Sequence, residues 1–277
     1  MSATPQLSPV AKMERKTLID LIEGGKRLDD RSPSDYRPIK IRTGIIEKAN
    51  GSSFVELGKT KVMAGVKVEL GEPFEDTPDQ GVLTVNVELV PLASPTFEPG
   101  PPNENAIELA RIVDRGLRES EAINLGELCL IPGKKVLVIF IDIYVLDYDG
   151  NLIDSSAMAS LAALMTSKIP KYTVKGEEEK IEVKDEPMSL PVSNYPIAVT
   201  AAKIGRSIVL DPSYEEEQVM DARLTITVDK DNKICAAQKG GLGTFPLIEV
   251  QSIIDKAISK SSELRSKLLE AVKAGQS

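Results

Sequence analysis

The apolar segments of this 277-residue chain arrive in an order that is used twice: a group of short strands closed by helix, then strands and helix again. Strands are expected at 39–47, 52–57, 61–70 and 81–90. There Phe54, Val55 and Leu57, and then Val62, Met63, Val66 and Val68, mix alternation with continuous apolar runs, as half-buried and buried strands do. Helices at 103–121 and 152–167 flank the apolar strand VLVIFIDIYVLD. The second helix carries SSAMASLAALM, small-residue-rich on every side, which suits an interior position. A second strand-rich module follows (PIAVTAAKIG, SIVLD, ARLTITVDKDNKICAAQKGG), with DKDNK as a hairpin turn. It ends in a long helix from Pro246 whose apolar face includes Ile253, Ala257, Leu264 and Leu268. Ahead of everything, residues 9–24 read as an amphipathic helix stopped by Gly24-Gly25. The pattern argues for an α+β or mixed α/β architecture with a core of some size. The polar stretch 172–194 is either a linker or an exposed hairpin, with Lys175-Gly176 near its tip.

Composition removes several kinds of chemistry. The chain has no histidine, so it has no ready general base near neutral pH, no Ser-His pair and no ordinary zinc site. Cys129 and Cys235 lie in apolar strand-like runs and read as buried, reduced thiols. No stretch is apolar for long enough to cross a bilayer, and the first residues lack a signal-peptide layout, so a cytoplasmic protein with no membrane partner is expected. With 34 Lys and Arg against 42 Asp and Glu, the net charge is −8. That is the wrong sign for gripping nucleic acid over the whole surface; any RNA would bind at a local basic strip, helped by a more basic partner.

One such strip exists. Within ELVPLASPTFEPGPPNENAIELARIVDRGLRES (residues 88–120), Arg111, Arg115 and Arg118 recur at spacings of four and three, which places them on one helical face. Fork-shaped donors about one turn apart suit consecutive phosphates. A salt-bridged surface helix fits the same letters, because Glu108 and Asp114 stand three or four residues from an arginine, with Glu104 one turn before Glu108. The helix has its own apolar face (Ile107, Ala110, Val113, Leu117) and a stiff Pro-rich elbow at 98–102, so the arginines are not needed to solubilise it. Elsewhere, Gly58-Lys59-Thr60 lacks the leading glycine of a phosphate loop, since Ser53 stands there, and it joins two strands; Gly240-Gly241-Leu242-Gly243 is a strand exit. The acidic group after Asp211 reads as a helix start, with Asp211 as N-cap and Pro212 at the first helical position, in preference to a Mg2+ site.

Four stretches, DDRSPSDYRPIKI, GSSFVELGKTKVMAGVK, the block from PFEDTPDQGVLTVNVELV through Ser120, and DYDGNLIDSSAMASLAALM, resemble RNase PH-like proteins, the third most specifically the non-catalytic ring subunits of archaeal exosomes. The resemblance implies an α+β fold of two βα modules (ribosomal protein S5 domain 2-like) with an added N-terminal helix and a long C-terminal helix. The expected division is a helical extension at 1–30, module one at 31–171, the linker or hairpin at 172–194, and module two with the C-terminal helix at 195–277. It also implies a six-membered ring that shortens single-stranded RNA from its 3′ end by phosphate attack. In that ring this chain would alternate with a catalytic paralogue as a trimer of dimers, under RNA-binding cap proteins. Catalytic members carry Gly-Thr-Arg where this chain has Gly150-Asn151-Leu152, and two aspartates where it has Asp211 and Glu217. The implied chain therefore has no catalytic residue, metal or cofactor of its own, and inorganic phosphate and Mg2+ belong to the partner. Arg111 and Arg115 match the family's RNA-contacting positions, with Arg118 as a lesser candidate. Two readings compete: a self-sufficient phosphate-dependent exoribonuclease, and a pure structural scaffold.

Overall fold

The first strands form a meander whose turns are set by local chemistry. The computed structural model describes residues 9–175 and 180–275. β1 (Ile39–Thr43) pairs antiparallel with β2 (Gly51–Leu57), and β2 with β3 (Thr60–Gly71). β1 stops four residues short of the sequence expectation because Gly44 takes a left-handed φ of 68° and donates to the Ser52 carbonyl, turning the chain away from the sheet. β4 (Val82–Leu89), α2 (Glu104–Glu119), β5 (Cys129–Ile131) and β6 (Lys135–Asp147) complete the first sheet, in the order β1-β2-β3-β6-β4 with β5 on β6. β4 runs parallel to β6, a pairing that requires a crossover, and α2 supplies it.

α3 (Leu152–Met165) explains why its sequence is small on all sides. It packs on β2 and β3 of the first sheet and on β9 (Ile197–Ile204) of the second. Ile153 to Ser156 and Met158 to Leu164 are all buried. The approach to β2 is close enough that a Cβ on Gly51 would lie 2.3 Å from the Ala163 carbonyl oxygen. Ser53 Oγ donates to the Ala159 carbonyl at 2.6 Å, tying strand to helix without leaving a polar group unpaired.

The second sheet has the order β10-β9-β11-β12, all antiparallel, with β10 at Ser207–Leu210, β11 at Ala222–Val228 and β12 at Ile234–Gly241. α5 (Leu247–Gly275) covers β1, β9 and β11 and buries Ile253, Ala257, Leu264 and Leu268, so one core spans both sheets. α1 (Pro9–Glu23) lies against α4 (Tyr214–Val219) and β9. β7 (Lys168–Lys175) and β8 (Lys180–Ser189) pair as an antiparallel hairpin across most of the 172–194 stretch. The tip at 176–179, with Gly176, lies outside the described residues, as do residues 1–8 of the N-terminal extension and 276–277. Both cysteines are free, but half-buried where the sequence reading had them buried, because β5 and β12 each sit at a margin of their sheet. No described helix is long and apolar enough to cross a membrane.

Replacing Gly51 with alanine should force β2 away from α3 and lower stability by about 1–3 kcal/mol, the usual cost of overpacking. Thermal unfolding of Gly51→Ala measures it, and an unchanged Tm would mean that the strand and helix are not in contact at this point.

Candidate nucleic-acid interface

α2 is placed by its own ends. Asn103 caps it, its side chain accepting from the Ala106 amide at 3.0 Å. Ala106, Leu109, Ile112, Val113, Gly116 and Leu117 are buried, which turns Arg111 and Arg115 outward to solvent. The two arginines line an open groove of about 450 Å3 with Glu104, Ile107 and Gln238, the last from β12. Among the described residues neither guanidinium has an ion-pair or hydrogen-bonding partner. Glu119, one turn beyond Arg115, stands in the less favourable Arg-before-Glu order.

The acids that the sequence offers as partners are taken elsewhere. Asp114 is held by the Arg118 fork, Nη2 to Oδ1 at 2.8 Å and Nε to Oδ2 at 3.1 Å. Arg118 is anchored in turn, donating to the Leu83 carbonyl at 2.9 Å. Glu108 pairs with Arg223 of β11 at 2.7 Å. Arg118, the lesser candidate by sequence, has its donors engaged, and among the described residues Arg111 and Arg115 remain as a free pair.

A second polar cluster sits at the N-terminus of α3. Asn151, left-handed at φ 53°, caps the helix and donates from Nδ2 to Asp154 at 2.8 Å and to Asp211 at 2.9 Å. Asp211 is fully buried, and it also receives Arg37 through Nε at 2.9 Å and Nη2 at 2.7 Å, and Arg31 Nη1 at 2.8 Å. This corrects the reading of Asp211 as a helix cap. The cap of α4 is Ser213, in a reciprocal capping box with Glu216, while Asp211 turns inward to its arginines. Glu216 is bridged by the buried Arg27. Glu217 accepts from the Tyr148 hydroxyl and from the Asn151 amide. A cavity of about 230 Å3 opens beside it, lined by Phe97, Tyr148, Leu152, Glu108, Glu217 and Arg223 among others. Burial raises the Glu217 carboxyl above its ordinary range, and burial next to Glu217 raises the Tyr148 phenol. Sequence reasoning missed Arg27, Arg31, Arg37, Tyr148 and Arg223. The first three lie in or beside the DDRSPSDYRP segment, a charged loop ahead of the first strand whose arginines needed partners.

Asp154 is a buried carboxyl at the heart of this cluster. It is fully buried, accepting from Tyr36 Oη at 2.6 Å, Thr200 Oγ1 at 2.7 Å and the Thr200 amide at 3.1 Å. Removal from water pushes its carboxyl up to about 6, against the opposing pull of those hydrogen bonds.

Comparison with known proteins gives consistent matches. The 3′ exoribonuclease family model for domain 1 matches residues 35–170, and that for domain 2 matches residues 194–260. Exosome complex component Rrp42 of Thermococcus kodakarensis is 55% identical over 267 residues, 96% of this chain and 98% of its own. Its counterpart in Pyrococcus horikoshii is 56% identical over 264 residues, 95% and 96% of the two chains. Among solved structures, a chain of the Archaeoglobus fulgidus exosome with RNA bound to the active site superposes with a TM-score of 0.86 at 45% identity, covering 94% of this chain and 99% of that one. A chain of an archaeal exosome core gives 0.82 at 42%, over 93% and 96%.

The Asp154 carboxyl predicts a pH dependence of defined sign. Its folded value of about 6 lies above the unfolded 3.8, so the native state holds the proton more tightly. Its contribution to stability is complete below pH 3.8 and is lost as pH rises through 6. Relative to Asp154→Asn, the wild-type unfolding free energy should fall by about 2 kcal/mol between pH 4 and pH 7. Denaturant titrations of the two proteins across that range measure it, and parallel curves would contradict it.

Proposed function

The chain belongs to the 3′ exoribonuclease family, and from that premise we propose that it is a non-catalytic ring subunit of an archaeal exosome. It shapes a hexameric ring in which three copies alternate with three copies of a catalytic RNase PH-like paralogue. It lends Arg111 and Arg115 to the grip on single-stranded RNA near the paralogue's active site. Inorganic phosphate, and any Mg2+, are used by the paralogue, and RNA-binding cap proteins sit on the assembly.

One contrast carries this reading. The arginines around the start of α3 are all matched to carboxylates: Arg27 to Glu216, Arg31 and Arg37 to Asp211, and Arg223 to Glu108. The adjoining cavity has Leu152 at the first position of α3, and Glu108 and Glu217 in its wall. A phosphate there would meet carboxylates with no uncommitted guanidinium to offset them, so neither ground-state binding nor charge stabilisation is provided for. Arg111 and Arg115, by contrast, have no partner among the described residues and face solvent one turn apart. Phosphate contacts of this kind are independent of sequence, which suits a subunit that feeds any RNA to its neighbour. Arg118, with its fork on Asp114 and the Leu83 carbonyl, serves the clamp by holding an acid away from it.

The chain alone should not shorten RNA in the presence of phosphate, whereas mixing it with the catalytic paralogue should give processive shortening. Robust shortening by the pure chain would instead make it a self-sufficient enzyme. In the assembled complex, Arg111→Ala with Arg115→Ala should weaken RNA binding. It should also reduce the slope of log K against log salt by about 1.4, the single-strand value for two phosphates. An unchanged slope would leave only the scaffold role.

A further inference from the structure

We infer that Arg223, seated over Gly240, is a positioning residue for the arginine pair on α2: it captures Glu108 and so keeps that carboxylate off Arg111. The inference rests on the clamp reading and adds to it residues from the other half of the molecule.

Glu108 precedes Arg111 by three residues, the spacing and order in which a helical glutamate and a cation pair readily, and both side chains line the same groove. They do not pair. Glu108 Oε2 meets Arg223 Nη2 at 2.7 Å, across from helix α2 to strand β11. Two features show that the Arg223 side chain is held for this contact. Arg223 stands opposite Gly240 in the β11–β12 register, and a Cβ there would lie 2.8 Å from its Nε and 3.1 Å from its Cγ and Cζ. A methyl group at position 240 would displace the Arg223 side chain from this path across the strand. Its Nε is also buried without an acceptor, an unfavourable arrangement whose compensating contact is Glu108. With Asp114 on Arg118, both acids three residues from Arg111 are thereby neutralised by arginines that do not face the groove's solvent side. The clamp keeps its charge although the helix that bears it is rich in acid.

The test is a mutant cycle in the assembled complex with the catalytic paralogue, read by RNA affinity, with ring assembly confirming that each variant folds. Arg223→Met should weaken binding about two- to fivefold, the span of an exposed ion pair formed between the freed Glu108 and Arg111. Gly240→Ala should do the same without changing any charge, by displacing Arg223. Glu108→Gln should have little effect alone yet restore both variants to wild type. If charge merely summed over the surface, Glu108→Gln would tighten binding equally in every background and Gly240→Ala would be silent; either result overturns the inference. In an Arg111→Ala/Arg115→Ala background Arg223→Met should cause no further loss. If that background itself binds RNA normally, the clamp reading fails on its own. The positioning claim is then decided by the crystal structure of the Arg223→Met ring. Glu108 within about 4 Å of Arg111 upholds it, and Glu108 remaining apart from Arg111 overturns it.

Discussion

The contact between the Asp211 carboxylate and the guanidinium of Arg37, closed off from water where β10 ends and α3 begins, ties together parts of the chain that lie far apart in sequence. A buried charge pair of this kind contributes little net stability over an apolar substitute, but losing one partner strands the other in a medium that cannot solvate it. It therefore specifies more than it stabilises. Arg37 comes from the loop before β1, Asp211 from the strand end before α4, and Asn151, which bonds the same carboxylate, opens α3. With Arg27 on Glu216 and Tyr36 on Asp154, the loop at 27–37 is fixed against both modules. The helix that separates the two sheets is thus oriented from its first residue.

That orientation has a chemical consequence. Around the start of α3 the positive groups form an internal salt-bridge network, matched to carboxylates of the same chain. Charges paired in this way leave little net field there for an anion, and function resides in sites carried on folds, not in the fold itself. Among the described residues, the unpaired guanidinium groups of Arg111 and Arg115 lie one helix away, on the outer face of α2.

On α2 the segregation is by partner rather than by position. Four acids and three arginines occupy one helix of 16 residues, and a surface so composed would ordinarily pair with itself and offer nothing to a polyanion. The described structure avoids this by giving Asp114 to an arginine anchored on β4 and Glu108 to an arginine from β11. Distance from the groove matters less here than occupancy of the carboxylates within it.

Period and residue size were enough to read the strands, the two long helices and the interior place of α3 from the letters, because burial leaves a mark at each position it affects. The arginine spacing on α2 was equally legible, since helical geometry alone brings 111, 115 and 118 to one side. Asp114, four residues before Arg118, marked that arginine as the lesser candidate; what the letters could not say was whether Arg111 and Arg115 are free. That depends on contacts such as Glu108 with Arg223, and, for the buried network, Arg37 with Asp211, which are 174 residues apart. Such pairs leave no periodic trace, because a salt bridge between distant segments constrains two residues and nothing between them. For the same reason Asp211 read as an ordinary helix cap until the packing of the two modules turned it inward. Sequence fixed where charge is carried; the tertiary structure decided where it is cancelled, because an ion pair forms only where folding brings its two ends within reach.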